Sequence, residues 1–345
     1  MSTHISRRIF VAASAAALAT PTLTRVTRAA DEPLLLRCSL DTAPSHLRNV
    51  SIKDYLGKVA AASGGKITTQ VFDSGQLFPD LQVAKALIQG QVEMACPGSW
   101  TITGIIPDAD VFQLPMMYGR TVEVVHRVTD GKPGAFIAEE IKEKIRVHIL
   151  GNWLDLGFQN WYSATKPINS LGDLKGMKIR NSGGAGQAWR ARFVGAIPNT
   201  TAWPQVPLSL SQGVFDGFVS SDESLVSAQL WDAGVKYSLA DHQFVAEYIP
   251  MISLIFWEKL SSAQQKMMND LWAENIGTYR ANMAAAQTRA RTTLGSHGIK
   301  FADPTPAQIE ADRNRMMPEQ DQLAKQLKIS PKLANLISSE LASAS

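Results

Sequence analysis

Residues 157–221 read GFQNWYSATKPINSLGDLKGMKIRNSGGAGQAWRARFVGAIPNTTAWPQVPLSLSQGVFDGFVSS. Short apolar runs in this stretch alternate with turn residues and longer segments, a pattern that predicts successive strand–turn–helix units. The strands are predicted at residues 177–180, 196–200 and 214–219. Ligands of open α/β sheets bind outside the carboxyl ends of the strands, where helix N-termini present free N–H groups. Arg180, Trp203 and Ser220 lie at such ends.

The flanking sequence predicts a second unit of the same kind. Residues 34–96 follow a strand–helix–strand–helix–strand order, which indicates a parallel sheet covered by helices. After residue 221 the chain has predicted strands at 235–239 and 248–256, the latter returning to the first unit. A helix-starting pattern near Ser262 then opens a long helix that runs to about Leu294. The chain therefore predicts an α/β protein of two domains, 31–154 with 239–280 and 155–238 with 281–340.

The first 30 residues have the features of an export signal. Arg7 and Arg8 precede an alanine-rich apolar run, and small residues follow near Ala30. The paired arginines favour the twin-arginine route over the general secretory route. Without residues 1–30 the chain keeps 30 of its 34 basic residues and all 31 acidic ones, so its net charge is −1. The absence of a basic block argues against nucleic-acid binding, and no later apolar run reaches the roughly 18 residues of a membrane span.

The chain has two cysteines, Cys38 and Cys96, and each lies in an apolar run predicted as a strand. An oxidising compartment would permit a disulfide between them. Parallel neighbouring strands do not readily offer disulfide geometry, so two buried free thiols are the alternative. The sequence leaves both states open.

Sequence patterns of catalysis are missing. The chain has no His-Glu-x-x-His, Gly-x-Ser-x-Gly, Gly-x-x-x-x-Gly-Lys or Cys-x-x-Cys motif. The glycine-rich run at residues 182–186 lacks the spacing of a phosphate-binding loop and is interpreted as a flexible loop at a helix start. The sequence therefore predicts no catalytic residues, no cofactor and no metal.

Several motifs resemble those of one family. DLKGMKIR (173–180), GAIPNTTAWP (195–204) and LSQGVFDGFVSS (210–221) are similar to the substrate-binding proteins of TRAP transporters, the DctP type. The likeness extends to SGQLFPDLQVAKALIQGQVEMA (74–95), KYSLADHQF (236–244) and FWEKLSSAQQKMM (256–268). The resemblance implies a two-domain periplasmic-binding-protein-like α/β fold with hinge strands and a long C-terminal helix that bridges both domains. It also implies a periplasmic receptor that captures a small organic acid and delivers it to a membrane permease.

The resemblance also suggests site residues. Arg180 matches the family's carboxylate-binding arginine, and its guanidinium can pair with a carboxylate through two hydrogen bonds. Gln159 stands where the family commonly has a second arginine, which favours a monocarboxylate or a sulfonate over a dicarboxylate. Asn160 follows directly and is predicted to share the polar contacts. The alternatives are a surface ion pair for the arginine and an ordinary strand surface for the two amides.

Three aromatic residues and one serine complete the predicted substrate site. Trp203, Trp100 and Phe218 lie at strand or loop ends, where aromatic faces can line a pocket, although core packing is their alternative role. Ser220 occupies a place where the family often has asparagine. The resulting hypothesis is a solute-binding protein, and the competing one is an exported enzyme that acts on small organic acids.

Overall fold

The computed structural model describes residues 32–342, so the predicted export signal lies outside the described residues. The strands of this range form two sheets. In chain order they are β1 (Leu34–Ser39), β2 (Ile67–Phe72), β3 (Met94–Ala95), β4 (Val147–Ile149), β5 (Leu154–Ser163), β6 (Lys178–Asn181), β7 (Ile197–Thr200), β8 (Gly217–Ser220), β9 (Tyr237–Tyr248), β10 (Met251–Ser253) and β11 (Lys300–Ala302).

Helices cover both sheets. Those of the described range are α1 (Leu47–Ala62), α2 (Asp80–Ile88), α3 (Val122–Thr129), α4 (Lys132–Ile145), α5 (Ala185–Phe193), α6 (Val206–Ser211), α7 (Asp222–Ser227), α8 (Leu254–Trp257), α9 (Ser262–Ser296), α10 (Pro306–Met316), α11 (Gln320–Gln326) and α12 (Pro331–Ala342). The predicted long helix is confirmed as α9, and its capping box is formed by Ser261 and Gln264. Between residues 32 and 342, no helix is long and apolar enough to cross a membrane.

The N-terminal part of the chain builds a five-stranded sheet. Its order is β2-β1-β3-β10-β4, with β1 parallel to β2 and β3, and β10 antiparallel to β3 and β4. Leu36, Cys38 and Met94 of this sheet are fully buried together with Ile52 and Tyr55 of α1. The helix that follows β1 therefore covers one face of the sheet, as the apolar pattern predicts.

The middle of the chain builds a six-stranded sheet of order β11-β9-β5-β8-β6-β7. β6, β7 and β8 are parallel, whereas β5 runs antiparallel to β8 and β9. The predicted strand–turn–helix units of residues 157–221 are confirmed, because β6, α5, β7, α6 and β8 follow one another in the chain. The parallel part of this sheet therefore has its strand ends, with Arg180 and Ser220, on one edge.

Two long strands, β5 and β9, connect the sheets. They pair with each other from Leu154 opposite Tyr248 to Ser163 opposite Tyr237. The chain enters β5 from β4 of the five-stranded sheet and leaves β9 into β10 of the same sheet. The structure thus has the two α/β domains and the connecting strands of the predicted fold class.

The separate strands predicted at residues 235–239 and 248–256 are wrong. β9 is continuous to Tyr248, and only the short β10 returns to the first sheet. Residues 239–248, assigned to the first domain from the sequence, therefore pair within the six-stranded sheet. Three polar residues of this segment, Asp241, Gln243 and Glu247, are buried. Asp241 accepts hydrogen bonds from the hydroxyl of Tyr118 at 2.6 Å and from Nε1 of Trp161 at 2.8 Å.

Helix α9 contacts both domains. Next to the five-stranded sheet, the hydroxyl of Tyr55 in α1 donates to the carbonyl oxygen of Met268 at 3.1 Å. Farther along α9, the side chain of Gln287 accepts a hydrogen bond from the backbone N–H of Glu223 in α7 at 3.0 Å. α9 also packs along β5. Helix α9 therefore packs against the connecting strand β5 and contacts both domains.

Cys38 and Cys96 are both free and fully buried. Of the two states left open by the sequence, the structure has the free thiols. Burial raises the pKa of both thiols, so they remain protonated at neutral pH.

Candidate functional site

A cleft of about 420 Å³ lies where the two domains meet. Its lining residues lie within or after strands of both sheets, at the starts of α2 and α7 and in loops, and they include charged, hydroxyl and aromatic side chains. They are Asp41, Thr42, Asp80, Leu81, Trp100 and Thr101 from the first domain, Leu156, Gln159, Arg180, Ser182, Trp203, Ser220 and Ser224 from the second, and Tyr248 at the end of β9. The cleft therefore occupies the position at which α/β proteins bind small ligands.

Arg180, in β6, is the central cation of this cleft. Its side chain is 2% exposed. Nε donates to the carbonyl oxygen of Thr201 at 2.9 Å, and Nη1 donates to Oγ of Ser182 at 2.9 Å. The guanidinium carbon lies 5.5 Å from the centre of the Trp203 ring. These contacts orient the guanidinium from three sides.

No carboxylate of the described residues forms an ion pair with Arg180, and its Nη2 makes no hydrogen bond within this range. Burial lowers the pKa of Arg180 to about 10, while the charges of Asp41 and Tyr248 oppose the shift. The side chain therefore remains a cation at neutral pH. A buried cation is costly unless an anion pairs with it. The cleft thus offers a charged, preoriented hydrogen-bond donor to an anionic ligand.

A second buried arginine, Arg48 of α1, lies at the first-domain wall and is already paired. Its Nη2 lies 2.7 Å from Oδ1 of Asp41, and its Nη1 lies 2.7 Å from Oδ2 of Asp80. Its guanidinium carbon lies 4.2 Å from the centre of the Tyr248 ring. Burial raises the pKa of Asp80 to about 7, although Arg48 opposes the shift. The carboxylates of the first-domain wall are therefore already paired with a cation of the protein, Arg48.

Five of the seven predicted substrate-binding residues line the cleft: Arg180, Gln159, Trp203, Trp100 and Ser220. The carboxamide of Gln159 makes one long hydrogen bond, 3.4 Å from Nε2 to the carbonyl oxygen of Gly157. The ring of Trp100 packs against Tyr248, with 5.6 Å between the ring centres. The structure thus brings these five residues together from β5, β6, β8 and two loops.

The other two predicted residues, Asn160 and Phe218, lie outside the lining of the cleft. Oδ1 of Asn160 accepts a hydrogen bond from the backbone N–H of His242 at 3.2 Å. The pairing of β5 with β9 shifts register between Gln159 and Trp161, and at this irregularity Asn160 contacts the backbone of β9 and not the cleft. Phe218 is fully buried and stacks on Tyr162 at 5.4 Å. It lies two residues before the end of β8, within the core under α6 and α7.

Of the first-domain wall, the sequence analysis identified Trp100 and missed the other lining residues. Asp41 and Thr42 come directly after β1, so the rule that found Arg180 would have found them. Asp80 and Arg48 gave no such signal, because both lie in or beside helices and meet only in the folded chain. Ser224 lies within α7 and so does not follow a predicted strand, and Tyr248 was placed at the start of a separate strand.

Another group of titratable side chains lies away from the cleft lining. His126, Asp155 and Glu247 place potential metal-ligand atoms within 4.8 Å of one another. Arg280 of α9 approaches the same carboxylates, with Nε 3.6 Å from Asp155 and Nη2 3.5 Å from Glu247. The guanidinium supplies the positive charge that a cation would bring. This group is therefore interpreted as an ion-pair network that joins α9 to the connecting strands.

Comparison with known proteins shows the family of this chain. The profile of the DctP family, described as bacterial extracellular solute-binding protein family 7, matches residues 41–326. The chain is 22% identical to the C4-dicarboxylate-binding periplasmic protein DctP of Rhodobacter capsulatus, over 86% of this chain and 88% of that protein. It is 23% identical to protein y4mM of Sinorhizobium fredii over 98% of its own length, and it spans 65% of the length of that relative.

A solved structure confirms the fold. The sugar acid binding protein DctPAm of Advenella mimigardefordensis, in complex with galactonate, superposes with a TM-score of 0.85 at 20% sequence identity, over 91% of this chain and 99% of that protein. The predicted family and the two-domain α/β fold are therefore both confirmed. Members of this family are solute receptors rather than enzymes. The chain belongs to the DctP family of bacterial extracellular solute-binding proteins.

Proposed function

We propose that this protein captures a small organic acid with a single carboxylate in the cleft between its domains. Arg180 carries the proposal, because it is a buried cation without a carboxylate partner among residues 32–342. A ligand carboxylate would accept hydrogen bonds from the guanidinium and neutralise its charge. The relative that binds C4-dicarboxylates and the structural neighbour that holds galactonate support an acid as the ligand.

Two features favour one carboxylate over two. Gln159 is neutral, so β5 contributes no second cation to the cleft. At the first-domain wall Arg48 is already paired with Asp41 and Asp80, so it offers no cation to a second ligand carboxylate. The hydroxyl groups of the lining, with Gln159, instead suit a ligand remainder that exchanges neutral hydrogen bonds. A hydroxylated monocarboxylate fits this charge distribution better than a dicarboxylate.

The proposal includes export and delivery. Residues 1–30 are proposed as a signal that directs the chain to the periplasm and is then removed. The receptor would deliver its ligand to the membrane permease of a TRAP transporter. We propose domains of residues 31–154 with 239–280 and 155–238 with 281–340, in which β9 pairs within the six-stranded sheet and crosses from the second domain into the first. N-terminal sequencing of the protein from a periplasmic extract tests the cleavage near residue 30, and an intact leader there would contradict it.

The binding role is tested by thermal melting of ligand-stripped protein with galactonate, lactate, succinate and taurine. A ligand at a hundredfold excess over its dissociation constant stabilises the folded state by about 2.7 kcal/mol, which raises the melting temperature by several degrees. We expect the largest shift with a monocarboxylate. We expect none of that shift in Arg180→Ala, and an unchanged shift in Arg192→Ala, whose side chain is exposed on α5. An equal shift in Arg180→Ala would remove Arg180 from the site, and larger shifts with succinate would contradict the preference for one carboxylate.

A further inference from the structure

The glycine-rich run at residues 182–186 is packed between the domains. A Cβ atom on Gly183 would lie 3.0 Å from Leu81, and one on Gly184 would lie 2.9 Å from Oδ1 of Asp110. A Cβ atom on Gly186 would lie 2.5 Å from Cβ of Gln113. The missing side chains therefore allow the first-domain segment around residues 107–113 to approach the start of α5 directly.

Asp110 caps this helix from the opposite domain. Its segment belongs to the apolar core of the first domain, where Ala109 and Val111 are buried with residues of α2, α3 and α4. Oδ2 of Asp110 accepts a hydrogen bond from the backbone N–H of Gly186 at 2.9 Å. A carboxylate at a helix N-terminus satisfies free N–H groups and interacts favourably with the helix dipole. An N-terminal cap, which normally comes from the residue before the helix, here comes from another domain.

A second contact lies one turn farther along α5. Nη2 of Arg190 donates to the carbonyl oxygen of Gln113 at 2.8 Å. Arg190 is 1% exposed and forms no ion pair with a carboxylate within residues 32–342. The segment at 107–113 is thus held to α5 by a carboxylate at the first turn and by a guanidinium at the second.

Several polar atoms of this contact have no hydrogen-bond partner among the described residues, including Oδ1 of Asp110, Oε1 of Gln113 and Nε of Arg190. Burial raises the pKa of Asp110 to about 6, against the effect of the Gly186 and Ala185 amides and of Arg190. Buried polar atoms without partners are costly, and water would satisfy them if the contact opened. The contact therefore has the energetics of a separable interface rather than of a permanent core.

The contact is joined directly to the anion site. Ser182, the first residue of the glycine-rich run, accepts a hydrogen bond from Nη1 of Arg180. Its backbone N–H donates to Oε1 of Gln187 in α5 at 3.0 Å. The residues that orient Arg180 and the helix that Asp110 caps are therefore one short, internally bonded unit.

We propose that Asp110 and the glycine run form a clasp between the domains, which holds the cleft shut over the acid bound at Arg180 and sets how long the acid stays bound. Asp110 acts here as a positioning residue, because it reaches the ligand only through α5 and Ser182. The inference rests on the proposed function, since a clasp has a role only if the cleft opens and closes around a ligand.

The clasp is tested by measuring the separation of spin labels on Val50→Cys in α1 and Leu208→Cys in α6, positions that are 45% and 64% exposed. Cys38 and Cys96 are fully buried and do not compete for the label. Galactonate is the probe ligand, and distances are recorded with and without it. We expect the protein with Asp110 to populate a short label separation, with the two domains in contact. Asp110→Ala should shift the population to longer label separations. In stopped-flow measurements, Asp110→Ala should release galactonate about tenfold faster, the order of effect of a lost helix cap.

Two further variants separate closure from folding. Gly186→Ala raises the helix propensity of α5 but places Cβ against Gln113 and Asp110, so it should fold and yet lose the short separation. Asp110→Asn keeps a side-chain oxygen that can accept the hydrogen bond from the backbone N–H of Gly186. This variant should therefore retain the short label separation. Thr305→Ala, which removes the cap of α10 away from the cleft, should lower the melting temperature and leave label distances and release rates unchanged.

Each outcome decides the proposal. The clasp is contradicted if the unmodified protein never populates the short label separation. It is also contradicted if Asp110→Ala or Gly186→Ala keeps that separation. Failure of the proposed function is seen separately, as a lack of thermal shifts with every acid in the unmodified protein. The label distances without galactonate still test the clasp in that case.

Discussion

Arg48 and Arg180 are buried arginines at the same cleft, one from each domain, and they differ in what neutralises them. Arg48 is paired with Asp41 and Asp80 at 2.7 Å each, whereas the contacts of Arg180 within residues 32–342 are with a carbonyl oxygen, a hydroxyl group and an aromatic face. Burying a charge is costly in both cases. The protein itself compensates the cost at Arg48, and an anion from outside must compensate it at Arg180. Burial alone therefore does not identify a binding arginine, whereas a buried arginine that lines the cleft without a carboxylate partner is a candidate.

The largest effect is expected from breaking the paired site. Arg48→Met would leave the carboxylates of Asp41 and Asp80 buried without their cation. Removal of one partner of a buried ion pair costs about 3–5 kcal/mol, and we expect a loss of this size in the free energy of unfolding measured in urea. Arg192→Met, which changes an exposed arginine, is the control and should be nearly neutral. A loss below about 1 kcal/mol for Arg48→Met would show that the pairing has little structural role.

Adding a cation beside Arg180 should change the ligand class. Gln159→Arg would give the cleft a second guanidinium and so favour two carboxylates. We expect the affinity for succinate, measured by calorimetry, to rise about tenfold relative to that for galactonate, which corresponds to about 1.4 kcal/mol. Gln212→Arg makes the same change at an exposed position and should leave the ratio unaltered. An unchanged ratio in Gln159→Arg would mean that residue 159 does not determine the ligand charge.

The paired site should also make stability depend on pH. The pKa of Asp80 is raised to about 7 in the folded chain, against about 3.9 when unfolded. The folded state then binds a proton more tightly, so this contribution to stability is full below about pH 4 and is lost as the pH rises to about 7. We therefore expect the free energy of unfolding to fall between pH 5 and pH 8, as Asp80 loses its proton in the folded state. Melting curves of Asp80→Asn should lack this component, and an identical slope in the variant would contradict the assignment.

The smallest effect on stability is expected at the unpaired site. Arg180→Met removes an uncompensated buried charge, which stabilises the folded state. It also removes the hydrogen bonds to Thr201 and Ser182, which destabilises the folded state, so the two effects oppose each other. The free energy of unfolding without ligand should change by less than about 1 kcal/mol. Urea unfolding of Arg48→Met and Arg180→Met side by side tests the comparison directly. Equal losses in both would show that Arg180 is a structural residue like Arg48.

Sequence reasoning located the site through local signals. Arg180, Ser220 and Trp203 follow strands of an alternating α/β pattern, and that pattern places strand ends at one edge. It went wrong at residues 240–247, which it assigned to no strand, and it placed Phe218 at the cleft although this residue lies in the core. Phe218 lies two residues before the end of β8, and this difference in position places its side chain in the core and not at the cleft. The exact end of a strand is the least certain part of a prediction from sequence.

By itself the sequence determined the two-domain α/β layout, the family and the strand end that carries Arg180, because periodicity, turn residues and short motifs act over a few neighbouring positions. Only the tertiary structure decided which arginine is left for a ligand. The partners of Arg48 come from the end of β1 and from α2, and the approach of Asp110 to α5 depends on residues about 75 positions apart in the chain. Whether a charge is compensated depends on distances between groups in the folded chain, and local sequence patterns do not specify these distances.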